Sequence, residues 1–300
     1  MTSNKFNFFS IVVLYNPEYY KLFNLCQILS SFDINVVLVD NSDLIKTDFT
    51  IIKELTRIQV IELYDNFGIA KAQNIGINYA LENNAEAILF FDQDSQIDST
   101  ILNDLVFCIS NPGVKICAPV FSDADSGVLL PITTVNKSGF IYKFSDFYNN
   151  SGYPIVISSG LFVKVEVFKT VGFMNEDYFI DYVDTDFCFR CLAHNVKIVI
   201  LGDALMKHSI GNALIKILGF HFSKHNPQRV YYQIRNCFIF CKKDYVPFLF
   251  KLREVVSITF HQFFLFLFFY DKRNHYLKAI FLGLIHGFSG RIGKFSLNLD

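Results

Sequence analysis

Ala87-Ile88-Leu89-Phe90-Phe91-Asp92-Gln93-Asp94-Ser95 is the stretch on which the reading of this chain turns. A short apolar run has the length and character of a buried strand. This one stops abruptly at two carboxylates, Asp92 and Asp94, one residue apart. In an open α/β sheet, ligands gather at the carboxyl ends of the strands. Two acids at such a place cannot be core; they require a cation, a polar ligand or water. A divalent metal shared with a substrate diphosphate would satisfy the acids and the phosphates together.

The same pattern, an apolar run followed by a polar stop, recurs three times upstream. Residues 8–14 end at Tyr15-Asn16-Pro17, where proline pushes Asn16 out of helical space. Residues 36–39 end at Asp40-Asn41-Ser42, and residues 58–63 at Asp65-Asn66-Phe67-Gly68. Helical spacing of apolar residues separates these runs over 19–31 and, after Gly68, over 69–82. Strand, helix and strand in that order imply right-handed parallel crossovers and an α/β fold. Four strand ends then line one edge of a mostly parallel sheet, and that edge is the expected pocket. Asp, Asn and Gly also punctuate ordinary turns, so no single strand end carries the inference; the four together do.

Further along, residues 101–109 read as a helix and 115–120 as a strand. Residues 122–150 are loop-rich, with room for a β-hairpin. Ser158-Ser159-Gly160 is a small-residue turn that would let backbone approach a bound ligand. Five acids then crowd the aromatic stretch 175–187. Asp184 suits the cap or first turn of a helix reaching about His194, where a carboxylate is favoured. Asp184 and Asp186 are too close to share a helix face, so at most one faces the pocket with Asp181 or Asp177. A strand is expected over 197–201, with His208 beyond it.

Charge divides the chain. Its net charge of −1 makes no case for nucleic acid. Residues 207–294, however, hold 14 Lys and Arg against 3 Asp and Glu. Two parts are therefore expected: residues 1–225 as the sheet domain, and 226–300 as a helical, basic and aromatic tail. Residues 255–270 are nearly all apolar but fall short of the roughly 20 needed to span a bilayer. They suit an interfacial segment on an anionic membrane surface, held by phenylalanine burial and basic flanks; an inner core helix or the cap of a homodimer is the alternative. Seven cysteines, an odd number, and a polar start without a signal-peptide pattern fit a reducing compartment, the cytoplasm or the cytoplasmic face of the inner membrane. Cys188-x-x-Cys191 and Cys237-x-x-x-Cys241 read as buried small hydrophobes.

Taken together, Val12-Val13-Leu14-Tyr15-Asn16-Pro17, Val39-Asp40-Asn41-Ser42, Asn66-Phe67-Gly68-Ile69-Ala70 with Gln73-Asn74-Ile75-Gly76, and Phe91-Asp92-Gln93-Asp94-Ser95 resemble the family 2 glycosyltransferases of the GT-A fold. Asp92-Gln93-Asp94-Ser95, Phe179-Ile180-Asp181-Tyr182-Val183-Asp184-Thr185-Asp186 and Tyr231-Tyr232-x-x-Arg235-Asn236 look like the rhamnosyltransferase branch. The resemblance covers roughly residues 9 to 240. It implies a Rossmann-like, mostly parallel sheet with a helical C-terminal extension. It implies inverting transfer of a sugar, L-rhamnose from dTDP-L-rhamnose, to a hydroxyl of a lipid-linked glycan in O-antigen or capsule assembly.

The resemblance also implies residue roles. Asp40 matches the acid that holds the nucleoside base, and Asp92 the acid near the ribose. Asp94 matches the ligand of Mg2+ or Mn2+, and His208 a residue that completes the metal shell. Asp184 matches the general base, with Asp181 as the second candidate, because Val183 stands where the family more often has an acid. Tyr15, Asn16, Asn41, Asn66, Gly68, Asn74 and Gln93 are candidate contacts to the nucleotide sugar. Lys71, Arg235 and Tyr231 are candidates for its phosphates. A nucleotidyltransferase is disfavoured, because no Gly-rich, basic phosphate loop follows the first strand. A non-catalytic sugar-nucleotide or membrane-docking module is the remaining alternative.

Overall fold

The computed structural model describes residues 6–43, 47–123, 127–144, 152–208, 214–217 and 220–298. The first half alternates strand and helix: β1 (Phe8–Leu14), α1 (Tyr19–Ser31), β2 (Asn35–Asp40), β3 (Ile58–Glu62), α2 (Ile69–Glu82), β4 (Ala87–Asp92), α3 (Ser99–Ser110) and β5 (Ile116–Asp123). A short 3₁₀ turn, Ile52–Glu54, precedes β3. The loop-rich region holds the hairpin β6 (Ile132–Val135) and β7 (Ile141–Phe144), completed to a small antiparallel sheet by β8 (Tyr153–Ile155). There follow β9 (Phe162–Lys164), α4 (Val165–Val171), α5 (Val183–Ala193), β10 (Ile198–His208), the ribbon β11 (Leu214–Ile217) and β12 (Phe220–Ser223), and three helices, α6 (Pro227–Cys241), α7 (Phe248–Phe268) and α8 (Arg273–Ser289).

Seven strands form the main sheet in the order β10-β5-β9-β4-β1-β2-β3. Six run the same way; only β9 is antiparallel to its neighbours β4 and β5. Side chains alternate across each strand. In β1, Phe8, Val12 and Leu14 pack with Leu22, Leu25 and Leu29 of α1 and Leu102 and Leu105 of α3. Phe9 and Ile11 face the other way, onto Ala72 and Ile77 of α2 and Phe187 and Phe189 of α5. The sheet is thus buried on both faces, which is why its strands read as continuous apolar runs.

One strand departs from expectation. The run expected over 197–201 continues as β10 to His208, with a register shift between Leu201 and Leu205. Polar Gly202 and Asp203 sit in that irregularity, which masks the strand's second half in the sequence. His208 therefore lies at the end of a strand, opposite Asp123, and not in a loop beyond it.

Of the last three helices, α6 and α7 pack against the core of the sheet and α8 packs on α6. Ile239 and Phe240 of α6 and Phe250 of α7 enter the same core cluster as the sheet. A second cluster joins Tyr231, Tyr232 and Ile234 of α6 to Leu265, Tyr276 and Ala279. Asn226 caps α6 by accepting from the Arg229 amide at 2.8 Å, with Pro227 in the first turn. Gly283 and Gly287, one turn apart on α8, let it lie close on α6: a Cβ on Gly287 would come within 2.8 Å of the Phe238 Cβ. Among the described residues no helix is long and apolar enough to cross a membrane.

Asp186, on the inner face of α5, is fully buried. It accepts from Arg190 Nε at 2.8 Å, from the Tyr178 hydroxyl at 3.3 Å and from the Tyr245 hydroxyl. Arg190 in turn donates to the Val171 carbonyl at 2.6 Å. One carboxylate thus ties α5 to α4 and to the segment after α6. Removing it strands a buried guanidinium. Asp186→Ala is expected to cost roughly 3–5 kcal/mol of unfolding free energy in urea titrations, and a loss under 1 kcal/mol would show that the anchor carries little.

Candidate functional site

The parallel strands deliver their polar ends to one rim. Hydrogen bonds then join these ends into an almost unbroken line. Asp40, buried at the end of β2, accepts from the Ser42 amide at 3.1 Å and from its hydroxyl at 2.6 Å. The Ser42 Oγ accepts from the Asn16 amide at 2.9 Å, crossing to the loop after β1. Next to it, Gln93 pairs with the Tyr15 backbone as a neighbouring strand would: the Tyr15 amide donates to Oε1 at 2.7 Å, and Nε2 donates to the Tyr15 carbonyl at 3.1 Å. That pair welds the ends of β1 and β4. At β4, the Ser95 Oγ accepts from the Asp92 amide at 3.1 Å and shares a hydrogen bond with the Ser159 hydroxyl at 2.8 Å.

The line ends at Asp184. The backbone and side chain of Ser158 both hydrogen-bond its carboxylate. Asp184 is only partly accessible, in the first turn of α5. Burial pushes its carboxyl up to about 7; the charge of Asp92 adds to the rise, and the Ser158 hydrogen bonds oppose it. Asp92 and Asp184 are therefore near enough for their charges to interact. The Ser158-Ser159-Gly160 turn, expected to make room for a ligand, also holds these two acids in place, a role its composition does not reveal.

The other acids of the 175–187 stretch are engaged elsewhere. Asp181 and Tyr182 both have left-handed backbone, at φ +62° and +67°. This bend turns Asp181 toward Arg229, whose Nη2 lies 3.0 Å and Nε 3.3 Å from its carboxylate. Asp186 points into the core. Asp177 pairs with Lys243 at 3.0 Å. Glu176 accepts from the Asn74 amide at 2.8 Å, so the five acids of this stretch go to different partners.

Around the end of β3 the polar residues organise one another. Asn41, buried, donates to Asn66 Oδ1 at 3.0 Å and accepts from the Phe67 amide at 2.8 Å. Asn66 Oδ1 also accepts from the Gly68 amide at 3.0 Å. Gly68 has φ +87°, and a Cβ there would stand 2.5 Å from the Phe179 carbonyl oxygen. The loop needs glycine because α2 starts against the acid-rich segment, where the Ile69 amide donates to that same carbonyl at 2.9 Å. Lys71 is half-exposed, stacked over Phe67 and 4.0 Å from Glu176.

Three candidates for nucleotide contact make internal contacts. Arg235 is fully buried: Nη1 donates to the Gly293 carbonyl at 2.6 Å, Nε to Asn236 at 2.9 Å and Nη2 to the Asp177 carbonyl at 3.4 Å, and the group lies over the rings of Tyr231 and Tyr232. Its guanidinium does not face solvent. Asn74 is also buried; its amide donates to the Met174 carbonyl at 2.9 Å and to Glu176 at 2.8 Å, and its oxygen accepts from the Met174 amide at 2.9 Å. It clamps α2 to the chain entering the acid loop. Tyr231, equally buried, spends its hydroxyl on His286 at 2.8 Å.

For a metal, the oxygen donors at the rim are Asp92 and Asp94. Asp94 is exposed at the turn after β4. A backbone bridge between Gln96 and Lys207 brings the end of β10, and so the backbone of His208, beside this turn. The His208 side chain lies outside the described residues. No group of three or more His, Cys, Asp or Glu positioned to hold a metal occurs among the described residues. Carboxylates in ones and twos, completed by phosphate oxygens, are the manner of Mg2+ and its hard relatives. The mutual charge of Asp92 and Asp184 is what a cation there would relieve.

Residues outside the expected set also shape the rim. Lys294, almost at the end of the chain, reaches Asp65 at 2.7 Å and Asp43 at 3.9 Å. Asp43 accepts from the Tyr15 hydroxyl at 3.2 Å and the Asn66 amide at 3.0 Å. A cavity of about 640 Å³ lies between α3 and the irregular part of β10, away from these carboxylates. All seven cysteines are free, and burial pushes the Cys26 and Cys188 thiols up to about 12, as for inert core residues.

Comparison with known proteins agrees with this architecture. Among solved structures, Staphylococcus aureus TarS 1-349 in complex with UDP-GlcNAc superposes with a TM-score of 0.57 at 18% identity, covering 91% of this chain and 79% of that one. GalNAc-T7 with UDP, GalNAc and Mn2+ gives 0.54 at 11% identity, covering 90% and 59%. These likenesses establish the GT-A fold. In sequence, the chain is 39% identical over 292 residues to the dTDP-rhamnosyl transferase RfbF of Shigella flexneri, spanning 96% of this chain and 97% of that protein. Residues 11–172 match the model of glycosyl transferase family 2. The chain is a glycosyltransferase and belongs to glycosyl transferase family 2.

Proposed function

We propose that this enzyme transfers L-rhamnose from dTDP-L-rhamnose, with inversion, to a hydroxyl of a lipid-linked glycan during O-antigen or capsular polysaccharide assembly. The near full-length identity to a dTDP-rhamnosyl transferase supports the donor. The observation that carries the mechanism is the Asp184 carboxyl, held by Ser158 beside Asp92 with its pKa near neutrality.

A general base works best when its pKa lies near the working pH. Asp184 takes the proton of the acceptor hydroxyl. The oxygen then bonds to the anomeric carbon as the bond from that carbon to the diphosphate breaks, through an oxocarbenium-like state. One displacement with no enzyme-bound sugar inverts the configuration. Asp181 is not available for this work, because Arg229 holds it. Asp40 and the rim formed by Tyr15, Asn16, Asn41 and Asn66 seat the nucleoside, and Asp92 and Gln93 the ribose. Mg2+ or Mn2+, held by Asp94 with His208 completing the shell, would supply positive charge to the departing nucleoside diphosphate.

The outer faces of α7 and α8 support a place on a membrane surface. Phe260, Phe263, Phe268, Phe281 and Phe288 are each more than half exposed. Lys272 and Arg273 lie between the two helices, and Lys278 and Arg291 lie further on. Phenylalanine burial at the headgroup boundary with basic attraction to anionic lipid is how such a surface binds.

Four outcomes are expected. Asp184→Asn retains binding of dTDP with Mg2+ and loses transfer by at least 10²-fold, while the wild-type kcat/KM declines as pH falls through about 7; unchanged turnover in the variant removes Asp184 from the base role. The same substitution should stabilise the metal-free protein. A carboxyl whose folded pKa is raised contributes stability below the unfolded pKa and loses it as pH rises through about 7. The variant should therefore gain on the order of 2 kcal/mol at pH 8, less at pH 5 and little at pH 3 or below in thermal melts. Asp94→Ala should abolish the metal dependence of donor binding in calorimetry. Full-length protein should float with anionic vesicles and not with neutral ones; sedimentation with neither would defeat the membrane reading.

A further inference from the structure

Two cavities lie side by side among the last helices. One, of about 330 Å³, is polar: Asp181 and Thr185 border it from the start of α5, with Glu254, Ser257 and His261 from α7. The other, of about 340 Å³, runs between α6, α7 and α8 and is almost wholly apolar, with Phe238, Phe263, Phe266, Leu277 and Leu284 in its walls. Ile258 lines both. Gln233 of the polar wall and Gln262 of the apolar wall are hydrogen-bonded at 3.3 Å, and the Gln262 oxygen accepts from the Tyr270 hydroxyl at 2.6 Å. The partition between the cavities is thus one isoleucine and one internally satisfied amide pair.

Both cavities lie outside residues 11–172, so the family's shared part does not account for them. Asp181 and Thr185 come three residues before and one residue after Asp184, so the polar cavity borders the same end of α5 that carries the proposed base. An apolar groove parted from a polar cavity by one isoleucine and one amide pair matches one kind of molecule, an amphiphile. We propose that the two cavities form a single acceptor site for a glycolipid, whose terminal sugar enters the polar cavity and whose hydrocarbon chain follows the groove past Ile258. This rests on the reading of Asp184 as the base of a glycosyltransferase. The polar cavity offers acids, a hydroxyl and imidazole to sugar hydroxyls. The groove removes a hydrocarbon chain from water with no unpaired polar group in the Gln262 wall. α7 and α8, which wall the groove, also carry exposed phenylalanines, and Lys251, Arg253, Lys272 and Arg273 lie on these helices or on the turn joining them, the make-up of a surface that lipid-borne substrates approach.

The chain contains no tryptophan, so Phe266→Trp places a single fluorophore in the groove. The probe is dodecyl maltoside brominated in its chain, used below its micellar concentration. Saturable quenching is expected. Leu277→Glu, at a half-exposed position of the groove, should weaken it at least tenfold while dTDP–Mg2+ binding by calorimetry stays within twofold. Brominated dodecanol, which lacks the sugar, should bind at least tenfold more weakly. Tyr20→Trp, at an exposed position of α1, should show no saturable quenching. Equal quenching at Tyr20→Trp, equal affinity for the sugarless chain, or no quenching at Phe266→Trp with dTDP binding intact would overturn the site. Quenching retained in a protein that binds no dTDP would support the amphiphile site and sink the donor reading instead.

Discussion

Two carboxylates kept near one another repel, and everything at the active rim follows from making that arrangement hold. Asp92 is fixed by the end of β4 and by its amide's bond to Ser95. Asp184 is fixed by α5 and by Ser158. Ser95 and Ser159 share a hydrogen bond, so the two supports are one structure. Burial first, and then the charge of Asp92, raise the Asp184 carboxyl. That rise gives a carboxylate the basicity that an ordinary exposed aspartate lacks.

The parallel sheet makes this possible cheaply. Six strands of one direction bring their carboxyl ends to a single edge without long connections. The side-chain amide of Gln93 then imitates a strand edge toward Tyr15, and Ser42 does similar work toward Asn16. The polar residues of the rim are therefore of two kinds. Some, such as Asn41 and Asn66, build the loops. Others, such as Asp94, remain turned to solvent at the turn.

The strands, the first helices and the rim were legible from the sequence because each depends on local pattern. An apolar run of buried-strand length ending in Asp or Asn declares both the strand and its direction, and Tyr19–Ser31 and Ile69–Glu82 show their helical spacing plainly. Arg235 and Asn74 were not legible as structural residues. Their partners, Gly293 and Met174, lie 58 and 100 positions away, and no spacing rule connects them. A polar residue in a helix reads as surface or ligand contact until its distant partner is known. The extension of β10 was hidden by Gly202 and Asp203, which read as a stop but form an irregularity. The left-handed pair Asp181-Tyr182 was equally hidden. It is that bend which separates two acids three residues apart, sending Asp181 to Arg229 and Asp184 to Ser158.

The path of the last residues has a consequence for biogenesis. Gly293 is held by Arg235 and Asp177, Phe295 by Tyr232 and Gln228, and Lys294 by Asp65 and Asp43 beside the first loops of the sheet. The amino-terminal strands can pair as soon as they are made, yet the charge balance of their loops awaits Lys294, 229 positions after Asp65. The first loops of the sheet are therefore electrostatically complete only once the last helices have folded back onto them.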